Sequence, residues 1–270
     1  MTTPKPQLTQ EPYHSTKSLV AGVLLVHGLN GCQRDMAEIE AVLQAHGMVT
    51  KNMLLPGHGV HVRELVPLGW EDWAQAVYRE LNLLKQRCDF VFLVGHSLGG
   101  ALLLHIAANE EVAGIVSMCA PLHMHPWLKP MIAFMKYFTP LFPAFGDDVR
   151  NRELRHQLKR DVYRWTPLSP VYSMLQFLPK LHEELPQITA PALIMTSVND
   201  HVVPARDGRE IYRRIGSREK YLVTFHRSYH MIMIDHDREE VIAKTAAFIL
   251  RHASKARPHS RNVPSTNQTA

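Results

Sequence analysis

The chain has 270 residues, a hydrophobic fraction of 46% and a formal net charge of +5, the length of one α/β domain carrying an insertion and the composition of an ordinary globular protein. No uninterrupted apolar run approaches the roughly 18 residues that span a bilayer, which excludes a transmembrane helix. Part of the positive excess lies in RHASKARPHSR near the end, a stretch with no acid and no interleaved aromatics, so it reads as a solvated tail and not as a nucleic-acid arm.

The opening MTTPKPQLTQEPYHS is polar and Pro-containing and lacks the apolar centre of a secretory signal. Residues 1–18 are expected to be flexible and the protein cytoplasmic. Short, continuously apolar runs at 20–27, 48–54, 90–95, 113–119, 191–197 and 221–225 predict strands buried on both faces. They alternate with helical patterns at 34–46, 70–87, 98–109, 205–215 and 238–252, as in a mostly parallel sheet with crossover helices. The alternation fails for about 70 residues after 119, too many for an ordinary connection. The expected organisation is a core of 19–121 and 190–252, an inserted helical lid at 122–189 and a disordered basic tail at 253–270. In the lid, Trp127, Met131, Phe134, Met135 and Phe138 recur at helical spacing, a stripe that packs the lid down and also suits an apolar ligand pocket. The charged piece DDVRNRELRHQLKRDVYRW reads as a solvated amphipathic helix. Cys32, Cys88 and Cys119 are too few and scattered for a disulfide framework; they read as free thiols, Cys32 standing apart because it follows a glycine-rich loop at a strand end.

The strongest chemical signal is Gly95-His-Ser97-Leu-Gly99, a G-x-S-x-G between the apolar strand FVFLV and the apolar helix ALLLHIAA, which marks Ser97 as a nucleophile on a sharp turn. A serine hydroxyl needs a base. Of seventeen histidines, those after the last strand are His226, His230 and His236, and His230 lies in the loop free to reach back over the sheet edge. The base needs a carboxylate, whose loss can cost around 10⁴ in turnover. Asp200 follows the strand ALIMTS, whereas Asp207, Asp235 and Asp237 fall in or beside helices. Backbone donors for a tetrahedral oxyanion are expected at Leu98, after the nucleophile, and at Leu29 in His27-Gly-Leu29-Asn-Gly31. Leu55-Pro-Gly-His-Gly59 reads as a structural turn, and His123-Met-His125 lacks the further ligands of a metal site.

Taken together, HGLNG, LPGHG, GHSLGG, NDHVVP and SYHMIMID resemble the bacterial carboxylesterase and monoacylglycerol lipase branch of the α/β-hydrolase superfamily, over about residues 20–252. The resemblance implies the α/β-hydrolase fold and hydrolysis of small or medium-chain esters, acylglycerols included, by a serine triad under a lid. It implies no cofactor; the residues themselves lead to the expectation of no metal, no nucleic-acid partner and no stable membrane insertion. It places the nucleophile at Ser97, the acid at Asp200, the base at His230 and the oxyanion donors at Leu29 and Leu98. The lid is longer than in compact esterases and the basic tail has no counterpart, which leaves the substrate open. A C–C bond hydrolase or thioesterase is the alternative that arginines at 150–164 would favour; a non-catalytic ligand-binding protein of the same fold is the alternative from another class.

Overall fold

The computed structural model describes residues 19–123, 127–144, 148–157 and 163–256; the expected flexible segment 1–18 and most of the expected tail lie outside them. In chain order the described strands are β1 (Ala21–Val26), β2 (Val49–Met53), β3 (Phe90–His96), β4 (Gly114–Met118), β5 (Leu141–Pro143), β6 (Trp165–Pro167), β7 (Ala192–Ser197) and β8 (Lys220–Phe225). The helices are α1 (Ala37–Ala45), α2 (Trp70–Arg87), α3 (Leu98–Asn109), α4 (Leu128–Met135), α5 (Arg152–Gln157), α6 (Leu168–Glu184), α7 (Ala205–Arg214) and α8 (Arg238–Ala253). None is long and apolar enough to cross a membrane.

Six strands form one sheet in the order β2-β1-β3-β4-β7-β8, each neighbouring pair parallel. Side chains alternate faces along a strand, and with both faces covered nearly every residue of the inner strands β1, β3, β4 and β7 is buried, whereas the edge strands β2 and β8, expected buried on both faces, are half-buried over most of their length. Val23 and Leu25 of β1 enter the layer shared with α1 and α8, while Leu24 and Val26 enter the layer shared with α2, α3 and α6. The strand order reverses at β1, with β2 on one side and β3 on the other, and sheets of this kind bind ligands outside the carboxyl ends of the strands at such a switch point.

Two features differ from the sequence reading. The helix expected from residue 34 begins as a 3-10 turn, Gln33–Met36, because the Asp35 carboxylate turns back to accept the Cys32 amide at 3.1 Å. The insertion also holds more than helices. Strands β5 and β6 pair antiparallel, and α6, for which the sequence reading proposed no element, buries Met174, Leu175, Phe177, Leu178 and Leu181. Phe177 stacks on Trp70 with ring centroids 4.6 Å apart.

Candidate active site

Ser97 sits in the turn between β3 and α3 with φ 52° and ψ −121°, a backbone conformation costly for a residue with a side chain. The surroundings hold it there: its amide donates to the Met118 carbonyl at 2.8 Å and its carbonyl accepts from the Ala101 amide at 3.0 Å. The turn drives the start of α3 against the end of β1. A Cβ on Gly99 would lie 2.4 Å from the Val26 carbonyl oxygen and 2.5 Å from that of His27, and one on Gly28 would come within 3.0 Å of the Ser97 Cβ. The loop after β1 therefore abuts the serine. Leu98, the first residue of α3, belongs to the turn whose amides have no intrahelical acceptor. Leu29 is half-buried in the abutting loop.

That loop is fixed on both sides. The Leu55 amide donates to His27 Nε2 at 3.1 Å, which leaves the proton on Nδ1, 2.8 Å from the Gly28 carbonyl. Asn30 (φ 59°) donates from its side chain to Thr166 Oγ1 of β6 at 3.1 Å, tying the loop to the insertion. LPGHG is a turn, as read from sequence, with the His58 amide donating to the Leu55 carbonyl at 3.1 Å. Burial, helped by the nearby His27, lowers the His58 pKa to about 3.

Asp200 follows β7 and His230 follows β8. The His230 Nδ1–H donates to Asp200 Oδ2 at 2.7 Å, and side-chain exposure is 7% and 0% for histidine and aspartate. Asp200 Oδ1 accepts the amides of Val202 at 2.8 Å and Val203 at 2.7 Å. A proton held on Nδ1 leaves Nε2 as the acceptor, the tautomer a general base requires. His96, beside Ser97, donates from Nε2 to the His230 carbonyl at 3.1 Å, with the two rings 4.6 Å apart, so the base loop is anchored to the serine turn.

The other acids serve the main chain. Asp207 accepts the amides of Leu122 and His123. Asp235 accepts those of Arg150, Asn151, Tyr229 and His236. Burial alone would raise the Asp237 pKa, but hydrogen bonds from Ser228 and Arg227 outweigh it and hold the carboxyl below its ordinary value. His226 and His236 are exposed. His123 Nδ1 lies 3.1 Å from Asp207 Oδ1, and His125 is outside the described residues. Cys119, Asp200 and His230 are the group of three donors that approach within 4.8 Å among the described residues, and the last two already satisfy each other.

Sequence reasoning missed Cys119 and Asp148 as neighbours of this centre. Cys119 directly follows β4 at φ 49°; burial, then the charge and hydrogen bond of Asp200, push its thiol well above the ordinary value. The missed signal was its place directly after a buried strand, at the sheet edge that the sequence reading assigns to Ser97, Asp200 and His230. Asp148 accepts the His230 amide at 3.1 Å; nothing in the charged run around it distinguishes it by pattern.

Of the expected stripe on α4, Met135 packs inward as the sequence reading has it, but its inward companions are Leu128 and Ile132 and not the other four. Leu128, Ile132 and Met135 pack inward, whereas Trp127, Met131, Phe134 and Phe138 are exposed. Both sets have helical spacing, so periodicity could not choose between them.

The sequence pattern of the family described as serine aminopeptidase, S33, matches residues 17–237. A thermostable monoacylglycerol lipase of Bacillus sp. (strain H-257) is 30% identical over 244 residues, 90% of this chain and 95% of the relative. A carboxylesterase of Bacillus subtilis (strain 168) is 26% identical over 81% of this chain and 88% of its own length. Among solved structures, one of the metagenome-derived lipolytic enzymes LipS and LipT superposes with a TM-score of 0.81 at 32% identity, covering 86% of this chain and 94% of that one. A monoacylglycerol lipase of Paleococcus ferrophilus gives 0.74 at 21% identity over 86% and 94%.

Proposed function

Because the chain belongs to the serine aminopeptidase S33 family, we propose that it is a serine hydrolase of carboxylic esters with Ser97 as nucleophile, His230 as base and Asp200 as its orienting acid. The relative that matches along 90% of the chain is named for acylglycerols and not for peptides, which supports an ester or monoacylglycerol substrate. The observation that carries the assignment is the buried 2.7 Å bond between Asp200 and His230, anchored through His96 to the turn that presents Ser97.

Ser97 Oγ attacks the ester carbonyl carbon as its proton passes to His230 Nε2. The amides of Leu29 and Leu98 receive the oxyanion, and such donors contribute about 3 to 4 kcal/mol each when aimed at the developing charge. Asp200 stabilises the imidazolium. His230 then gives the proton to the departing alkoxide, leaving an acyl-Ser97 that water cleaves by the same steps in reverse order of partners. The acyl chain runs beneath the insertion, where Met135 is half-buried. No cofactor enters the scheme. Three free cysteines support a reducing, cytoplasmic setting.

The C–C hydrolase reading wanted arginines aimed at a substrate carboxylate. Among the described residues, Arg150, Arg152 and Arg164 are exposed, and Arg150 donates to the Arg227 carbonyl at 3.3 Å. Nothing in that favours the alternative. Hydrolysis of a p-nitrophenyl ester series from short to long acyl chains, by wild type and Ser97→Ala, tests the proposal. The expected result is a preferred chain length in wild type and a loss of at least about 10⁴-fold in the variant, with its melting temperature retained. Equal activity in both would overturn the assignment.

A further inference from the structure

Asp148 lies in the insertion, yet its hydrogen bonds go to the two loops that carry the acid and the base. Its Oδ2 accepts the backbone amide of His230 at 3.1 Å and that of His201 at 3.1 Å. Its Oδ1 meets His201 Nδ1 at 2.7 Å, and its backbone carbonyl accepts the Met231 amide at 3.2 Å. His201 is the residue after Asp200, so this one carboxylate spans the acid loop and the base loop and sets their separation. The neighbouring residues lock the same join: Val149 is buried in the layer that holds Met231 and Ile232, and Asp235 ties Arg150, Asn151 and Tyr229 together.

We propose that Asp148 is a positioning residue for the base, holding the main chain of His230 against the acid loop. The role rests on the reading of His230 as general base. The Asp148 side chain is only 16% exposed, so water competes little for the amides it accepts. The groups facing His230 are Asp200 on its Nδ1, Cys119 beside that pair, His96 against its ring and Asp148 at its amide. His201 lies beyond Asp148, with Tyr229 on its ring and Arg150 over Tyr229.

The test uses the full chain and three variants, Asp148→Ala, Asp148→Asn and His201→Gln, with the p-nitrophenyl ester that wild type cleaves best, from pH 5 to 9. Asp148→Ala is expected to lower kcat about 10- to 100-fold with KM changed far less, because the geometry of the base and not substrate contact is lost. Asp148→Asn keeps an acceptor for both amides. It should recover most of kcat. His201→Gln should leave kcat within a few-fold. A folded Asp148→Ala with unchanged kcat, or an Asp148→Asn that turns over no faster than Asp148→Ala, overturns the proposal and reduces Asp148 to a staple for the insertion. If Asp148→Ala does not fold, Asp148→Ser, whose hydroxyl is too short to span both amides, takes its place under the same outcomes. The NMR resonance of the His230 Nδ1–H, bonded to Asp200 in wild type, is expected to shift in Asp148→Ala and to return in Asp148→Asn, and it reads the geometry without turnover. It therefore separates failure of this role from failure of the ester-hydrolase reading.

Discussion

Around Ser97 the contacts that set geometry are made by main chain, whereas around α4 they are made by side chains, many of them facing water. Gly99 rides against two carbonyls of β1 and its following loop, and Gly28 presses on Ser97 itself. On α4 and the turn after it, Phe134 is 68%, Tyr137 81% and Phe138 75% exposed. A backbone contact at van der Waals distance admits one residue type, while a solvent-facing aromatic admits many. The difference separates the two tasks of the molecule. The proposed nucleophile is held by packed main chain that leaves no room for a larger residue, and the aromatic face of α4 is held by little.

The sharpest way to break the comparison is to put a methyl group at the elbow. Gly99→Ala would place its Cβ 2.4 Å from the Val26 carbonyl oxygen, and neither β1 nor α3 can yield without moving the other. Overpacking of this kind costs about 3 kcal/mol or more. Thermal unfolding and ester hydrolysis should fall together, in contrast with Ser97→Ala, where only hydrolysis falls. A Gly99→Ala chain that melts and turns over like wild type would show that the elbow has slack.

The same division explains what was legible in the amino-acid sequence. The four inner strands could be read because burial on both faces leaves a continuous apolar run, as in FVFLV before Ser97, whereas the edge strands β2 and β8 are half-buried and mix polar residues in. Ser97, Asp200 and His230 could be singled out because each follows a strand and so reaches the same edge of the sheet, where the structure brings the last two into contact. The insertion resisted. Its strands β5 and β6 are 3 residues each, too short for any period, and α6 carries Pro170 and Pro179, which sequence rules treat as breaks. On α4 two apolar stripes compete, and only packing against α6 selects Leu128, Ile132 and Met135. Asp148 acts across 82 residues of sequence on His230, a relation set by tertiary structure alone.

Between the two regions stands His58, buried beneath the loop after β2 in contact with His27. Its pKa is lowered to about 3 by burial first and by His27 second, while an unfolded histidine titrates near 6.5. The unfolded chain therefore binds the extra proton between those values, so the contribution is fully present above about pH 6.5 and is lost progressively as the pH falls toward 3. At pH 5 the loss from this residue amounts to about 2 kcal/mol. Urea unfolding of wild type and His58→Asn at pH 7.5 and pH 5 isolates it, because other groups titrate alike in both. Wild type should lose the additional stability on acidification, and parallel losses would mean that water reaches the ring.

The smallest expected effect sharpens the comparison from the other side. Phe134 and Phe138 touch chiefly each other, ring centroids 4.8 Å apart, and both already face water. Replacing either by serine removes little buried area, so stability should change by no more than about 0.5 kcal/mol. Ile132 lies on the opposite face of the same helix at 5% exposure, and Ile132→Ala should cost about 2 kcal/mol or more through the transfer and cavity terms. Denaturant unfolding of the three variants measures how deep the packed side of the insertion is. A serine variant that costs as much as Ile132→Ala would mean that the aromatic face is covered in solution, and the insertion would then be as constrained as the elbow it overlies.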